Sequence, residues 1–160
     1  MFSQHPFAEQ DLPRDTTAVA APARSRVQLA LNVDDLDAAV SFYSRLFQAE
    51  PAKRRPGYAN FALDEPAFKL VLIEKPGAGG TINHMGVEVA STEDVVTATR
   101  RLADAGLATQ VEDATTCCYA LQDKVWVHGP DGEEWEVYTV LADARPDVVG
   151  APMTLARETP

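Results

Sequence analysis

His84-Met85-Gly86-Val87-Glu88-Val89 repeats the apolar and polar-or-small alternation of Gln28-Leu29-Ala30-Leu31-Asn32-Val33, at an offset of 84 − 28 = 56 residues. Alternation of this kind reads as a strand, with Val27, Leu29, Leu31 and Val33 on one face and Gln28, Ala30 and Asn32 on the other. The segments after the two copies also match, each reading as a capped helix. After the first, Asp34 or Asp35 can cap a helix whose Leu36, Ala39, Val40, Tyr43, Leu46 and Phe47 recur at three- and four-residue spacing. After the second, Ser91 and Asp94 have capping-box spacing. The helix they open carries Val95, Val96, Thr99, Leu102 and Ala103 inward and stops at Gly106.

The remaining segments complete the repeat. Residues 48–57 read as a loop holding Pro51, Pro56 and the basic Lys53, Arg54 and Arg55. Residues 58–63 and 68–74 read as strands joined by the turn Asp64-Glu65-Pro66. Lys75-Pro76-Gly77-Ala78-Gly79-Gly80 is a connector at the midpoint. In the second half, residues 107–111, 124–128 and 134–141 read as strands, and Glu112 to Thr116 are polar enough to be mobile. The expected fold is α+β: two tandem βαβββ modules, residues 26–75 and 82–142, forming a curved sheet around a metal cleft within one domain at 25–142. Residues 1–24, punctuated by Pro6, Pro13 and Pro22, are expected to be an irregular leader. Residues 143–160, with Pro146, Pro152 and Pro160, are expected to be a flexible tail.

Bulk composition excludes several functions. The 160 residues carry a formal net charge of −10, whereas a nucleic-acid backbone or an anionic membrane surface needs a basic face. No apolar run approaches the ~20 residues of a membrane span, and the N-terminus lacks a basic start followed by an apolar stretch. The only two cysteines, Cys117 and Cys118, are adjacent. Their Cα atoms are held ~3.8 Å apart by a trans peptide, short of the roughly 4.4–6.8 Å of ordinary disulfides. As free thiols they fit a reducing, cytoplasmic setting. They are either a buried inert pair or a compact soft-ligand pair for a thiophilic ion such as trivalent arsenic or cadmium.

The repeat also selects metal-ligand candidates. Gln28 and His84 hold equivalent positions on the first strand of each half, so pseudo-twofold packing would let their side chains converge. Glu136 stands between Trp135 and Val137, an awkward place for a carboxylate without a partner. Aligning Glu136-Val137-Tyr138 with Leu70-Val71-Leu72 makes the apolar Leu70 its first-half counterpart, leaving a fourth ligand position empty. Each residue alone has a structural explanation; jointly they favour a metal. Three ligands with open positions suit a non-haem Fe(II), and other divalent metals are possible because Gln28 is a weaker donor than imidazole.

Residues from about Arg26 to Asp143 resemble the vicinal oxygen chelate superfamily, which includes glyoxalase I, extradiol dioxygenases and bleomycin-resistance proteins. Four stretches are more specific: Arg26-Val27-Gln28-Leu29-Ala30-Leu31; Arg55-Pro56-Gly57-Tyr58-Ala59-Asn60-Phe61-Ala62; Lys69-Leu70-Val71-Leu72-Ile73-Glu74; and Thr116-Cys117-Cys118-Tyr119-Ala120 running into Gln122-Asp123-Lys124-Val125-Trp126-Val127. They are similar to the bacterial organoarsenical carbon–arsenic lyases and the related cadmium-induced proteins. The resemblance implies Fe(II)-dependent, dioxygenase-like cleavage of the carbon–arsenic bond of trivalent organoarsenicals, with O2 as co-substrate and a homodimeric assembly. It carries metal ligation onto Gln28, His84 and Glu136, and arsenic binding onto Cys117 and Cys118. Tyr119 and Lys124, near the thiols in sequence, become supporting or gating groups. The competing reading is a soft-metal sequestering protein without turnover, and a drug-binding protein of the bleomycin-resistance type ranks last.

Overall fold

The alternating segments become strands of one sheet. The structure, a computed structural model, describes residues 17–18, 20–107, 109–117 and 120–143, with backbone alone at Thr17, Ala18, Thr116 and Cys117. Its elements are β1 (Thr17–Ala18), β2 (Arg26–Val33), α1 (Leu36–Phe47), β3 (Lys53–Arg55), β4 (Tyr58–Leu63), β5 (Phe68–Glu74), β6 (Ile82–Glu88), α2 (Thr92–Asp104), β7 (Gln110–Cys117), β8 (Ala120–His128) and β9 (Glu134–Asp143). The strands are ordered β3-β4-β5-β2-β6-β9-β8-β7, and β1 pairs with the end of β9. No helix among the described residues is long and apolar enough to cross a membrane.

The centre of the sheet carries the repeat symmetry. β2 and β6 run antiparallel with Gln28 opposite Gly86 and Ala30 opposite His84. A twofold axis between them exchanges Gln28 with His84 and Ala30 with Gly86, each pair 56 apart (84 − 28 = 56; 86 − 30 = 56). On the flanks, β2 runs parallel to β5 and β6 parallel to β9. Lys53 on β3 and Asp143 at the end of β9 form an ion pair. These strands lie five places apart in the sheet order, so the sheet curls strongly.

Both helices pack on one side of this curve. Asp35 caps α1 by accepting from the Ala38 N–H at 2.9 Å, and Ser91 caps α2 through the Asp94 N–H. Leu36 and Val40 of α1 pack on Ala59, Phe61, Leu70 and Leu72, with Leu29, Leu31 and Val33 beside them. Phe61 is wholly buried, a burial that contributes roughly 2–3 kcal/mol. Val95 and Leu102 of α2 make the matching core on Val125. Apolar packing is thus assigned to the helix side, leaving the opposite face of the central strands to hold buried polar groups.

Several sequence expectations need correction. The loop expected at residues 48–57 contains β3, and the irregular leader contains β1. The strand expected at 107–111 is β7, Gln110–Cys117, which takes in Glu112 to Thr116 and whose ladder with β8 continues to Cys117 opposite Ala120. Leu46 and Val96, expected to face the core, are exposed, and so is Val27 at the start of the face that carries Leu29. The alignment of Glu136 with Leu70 is one residue out. Ala30 pairs with Val71 while its symmetry mate Gly86 pairs with Glu136, so the counterpart of Glu136 is Val71. Leu70 points the other way, into the core beneath α1; one residue of slip changes the face.

Candidate metal centre

Three neighbouring strands deliver the three expected ligands to one point. Gln28 Nε2 donates to Glu136 Oε1 at 2.8 Å and lies 3.3 Å from His84 Nε2. His84 Nε2 is 3.2 Å from the same carboxylate oxygen. Gln28, His84 and Glu136 are all buried, at 4%, 9% and 3% exposure, so water does little to screen them. Because one donor is an amide, no cluster of three His, Cys, Asp or Glu side chains forms among the described residues.

Gly86 makes the convergence possible. A Cβ there would stand 2.8 Å from Glu136 Cγ, 2.9 Å from the Glu136 carbonyl oxygen and 3.5 Å from Gln28 Nε2. The missing side chain is the space in which the ligands meet. Glycine inside a strand often marks such a close approach, a signal present in the sequence but not read from it.

Lys124, expected as a supporting or gating group, contacts one of the ligand candidates directly. It is 1% exposed and donates to Glu136 Oε2 at 2.9 Å. Its ammonium also lies 5.2 Å from the centre of the Trp126 ring, whose edge-to-face contact with His84 has a 5.5 Å centroid separation. Tyr138, fully buried and two residues beyond Glu136 on the same face, donates its hydroxyl to Gln28 Oε1. A second buried ion pair lies nearby, Lys69 to Glu88 at 3.1 Å, with the Lys69 ammonium 5.3 Å from the Tyr138 ring centre. Tyr138, Lys69 and Glu88 were not among the sequence candidates, although Tyr138 and Glu88 alternate with Glu136 and His84 along their strands and Lys69 pairs with Gln28 across β2 and β5.

Cys117 is placed only by its backbone, at the end of β7. The expectations for the Cys117 side chain, and for Cys118 and Tyr119, lie outside the described residues.

The electrostatics keep Glu136 charged. Burial would raise its pKa, but the neighbouring His84 ring and the charge of Lys124 outweigh it, leaving the value lowered from 4.5 to about 2. A depressed carboxyl pKa stabilises the fold above the unfolded value, and that contribution is lost as pH falls through the folded value. The metal-free protein should therefore lose stability on the order of 3 kcal/mol from this group between pH 4.5 and about 2. Denaturant titrations across that window should show a steeper loss for the native protein than for Glu136→Gln; parallel curves would contradict the assignment.

The sequence model of the Glyoxalase/Bleomycin resistance protein/Dioxygenase superfamily matches residues 25–137. The chain is 69% identical over 120 residues to the cadmium-induced protein CadI of Mycobacterium bovis, covering 75% of this chain and 79% of that protein. It is 61% identical over 121 residues to a trivalent organoarsenical cleaving enzyme of Thermomonospora curvata, covering 75% and 80%. In fold it is similar to the Mn(II)-bound glyoxalase of Novosphingobium aromaticivorans, with a TM-score of 0.56 at 22% identity over 82% of this chain and 44% of that one. A family match across most of the two modules, on a sheet with this internal symmetry, leaves one conclusion: the chain belongs to the glyoxalase/bleomycin resistance protein/dioxygenase superfamily.

Proposed function

We propose that this protein is a metal-dependent enzyme that cleaves the carbon–arsenic bond of trivalent organoarsenicals. The observation that carries the reading is the meeting of Gln28, His84 and Glu136 over Gly86. The donor set fits a divalent metal of the Fe(II) type: one imidazole nitrogen, one carboxylate held ionised, and one amide. Fe(II) bound there would supply activation of O2.

The chain's own groups have separate tasks. Lys124 keeps Glu136 ionised and aimed. Gln28 would ligate through Oε1, which requires its amide to turn over from the orientation that faces Tyr138. The Tyr138 hydroxyl donates to Oε1 and can equally accept from Nε2, so it supports either orientation. The Cys117 and Cys118 thiolates are soft ligands matched to As(III). Holding arsenic there would bring its organic substituent toward the buried cluster, a proximity effect. Tyr119, next to the cysteines in sequence, is proposed as a supporting or gating group. The cleavage would release inorganic arsenite. A cytoplasmic homodimer accompanies this reading.

A second reading has its own support, because the 69%-identical relative is named a cadmium-induced protein. On it, the cysteines would sequester a soft ion without turnover. The deciding experiment is anaerobic Fe(II) loading, then methylarsenite in air, with analysis of the arsenic species. Fe(II)-dependent appearance of arsenite supports the lyase; bound but unconverted methylarsenite supports sequestration. The Cys117→Ser and Cys118→Ser double variant should lose turnover by at least ~100-fold yet retain Fe(II) in the first case. In the second it should lose soft-metal binding altogether.

A further inference from the structure

One side of His84 faces the ligand cluster; the other ends a chain of hydrogen bonds whose direction is fixed at its far end. Thr81 Oγ1 donates to the Ala78 carbonyl at 2.6 Å. A carbonyl only accepts, so the single hydroxyl proton is committed there. Thr81 Oγ1 must then accept from Asn32 Nδ2 at 2.9 Å. With its nitrogen so used, Asn32 presents Oδ1 to Asn83 Nδ2 at 3.0 Å. That turns Asn83 Oδ1 toward His84 Nδ1 at 2.8 Å. Every link after the first follows from the one before it.

A second observation concerns the backbone. Ala30 pairs with His84 but the next residue, Leu31, pairs with Ile82. Asn83 is therefore the extra residue of a β-bulge in β6. Adjacent residues of a regular strand point to opposite faces, whereas a bulge re-aims a side chain. The bulge is what allows Asn83 to hydrogen-bond the ring of the residue beside it. Asn32 is buried, with both ends of its amide satisfied, while Asn83 is exposed.

We propose that Asn83, oriented by Asn32 and Thr81, is a positioning residue that keeps a proton on His84 Nδ1 and leaves Nε2 as the ring's free donor atom. The neutral imidazole holds one proton, so occupying Nδ1 leaves the Nε2 lone pair to accept from Gln28. Gln28 Nε2 has two hydrogens and serves both acceptors, Glu136 at 2.8 Å and His84 at 3.3 Å. The metal arm of this inference rests on the reading given under Proposed function; the tautomer arm does not.

The test is 15N NMR of the imidazole nitrogens in metal-free protein at mildly alkaline pH, together with calorimetric titration of Mn(II). In the native protein the Nδ1–H tautomer should dominate, and a dominant Nε2–H tautomer overturns the proposal without any variant being made. Asn83→Ala should shift the population toward Nε2–H and weaken Mn(II) binding by about 10–100-fold, the usual effect of removing a partner that orients a ligand. Asn83→Asp, which keeps an acceptor at Nδ1, should restore the tautomer and most of the affinity. An unchanged tautomer and affinity in Asn83→Ala refutes the relay. If the native protein binds no Mn(II) or Fe(II), the metal reading fails, and the tautomer measurement still decides the relay.

Discussion

Glu136→Gln is expected to abolish divalent metal binding and to destabilise the metal-free protein at the same time. The two losses have different causes. Metal binding fails because the site's one carboxylate is gone, leaving an imidazole and two amides with no charge to offset a divalent cation. Stability falls because Lys124, 1% exposed, loses the carboxylate that accepts from it at 2.9 Å. Removing one partner of a buried ion pair costs about 3–5 kcal/mol, since the remaining charge stays desolvated. The second loss can be repaired without the first. Combining Glu136→Gln with Lys124→Met removes the buried charge that the carboxylate balanced and should recover most of the stability, while calorimetry still detects no metal binding. A single variant that folds normally and binds Mn(II) tightly would remove Glu136 from the ligand set.

How much of this was legible in the sequence depends on whether a residue's task leaves a periodic trace. The 56-residue repeat did, because strands with one face toward a helix must alternate, and that offset placed Gln28 and His84 on symmetry-related positions. Glu136 was visible as a carboxylate flanked by large apolar residues. Its register was not, because Leu70-Val71-Leu72 is apolar throughout: both faces of β5 are buried, and such a strand has no alternation to read. One edge strand, β3, was missed and the other, β7, was ended too early for the opposite reason. Lys53-Arg54-Arg55 and Glu112 to Thr116 carry polar residues because a sheet edge meets solvent and is guarded by charge.

The partners of the supporting groups failed to show for a third reason: they are distant in sequence. Lys124, singled out through the resemblance, reveals its partner only when Glu136, 12 residues on, is placed against it. Asn32 and Asn83 look like ordinary polar strand positions until the bulge at Asn83 turns one amide toward the other. Pairings of this kind follow from register, and register follows from the whole sheet.

Gly86→Ala should have the largest effect for its size, a single methyl group. The added carbon would stand 2.8 Å from Glu136 Cγ and 2.9 Å from the Glu136 carbonyl oxygen. The side-chain contact can be relieved by rotating Glu136, but that draws the carboxylate away from Gln28, His84 and Lys124 together. The carbonyl contact cannot be relieved so, because Gly86 and Glu136 are direct partners in the parallel ladder; β6 and β9 would have to separate. Overpacking of this sort costs about 1–3 kcal/mol, and displacing the ligands should weaken metal binding by roughly 100-fold. The symmetry of the fold supplies the comparison. Ala30 holds the equivalent place in the first module and is wholly buried with its methyl among Tyr58 and Val71. There the partner strand offers Val71 where β9 offers Glu136, so a methyl fills apolar space in one half and would fill the ligand space in the other. Full metal affinity in Gly86→Ala alone would mean that the ligands do not meet over Gly86.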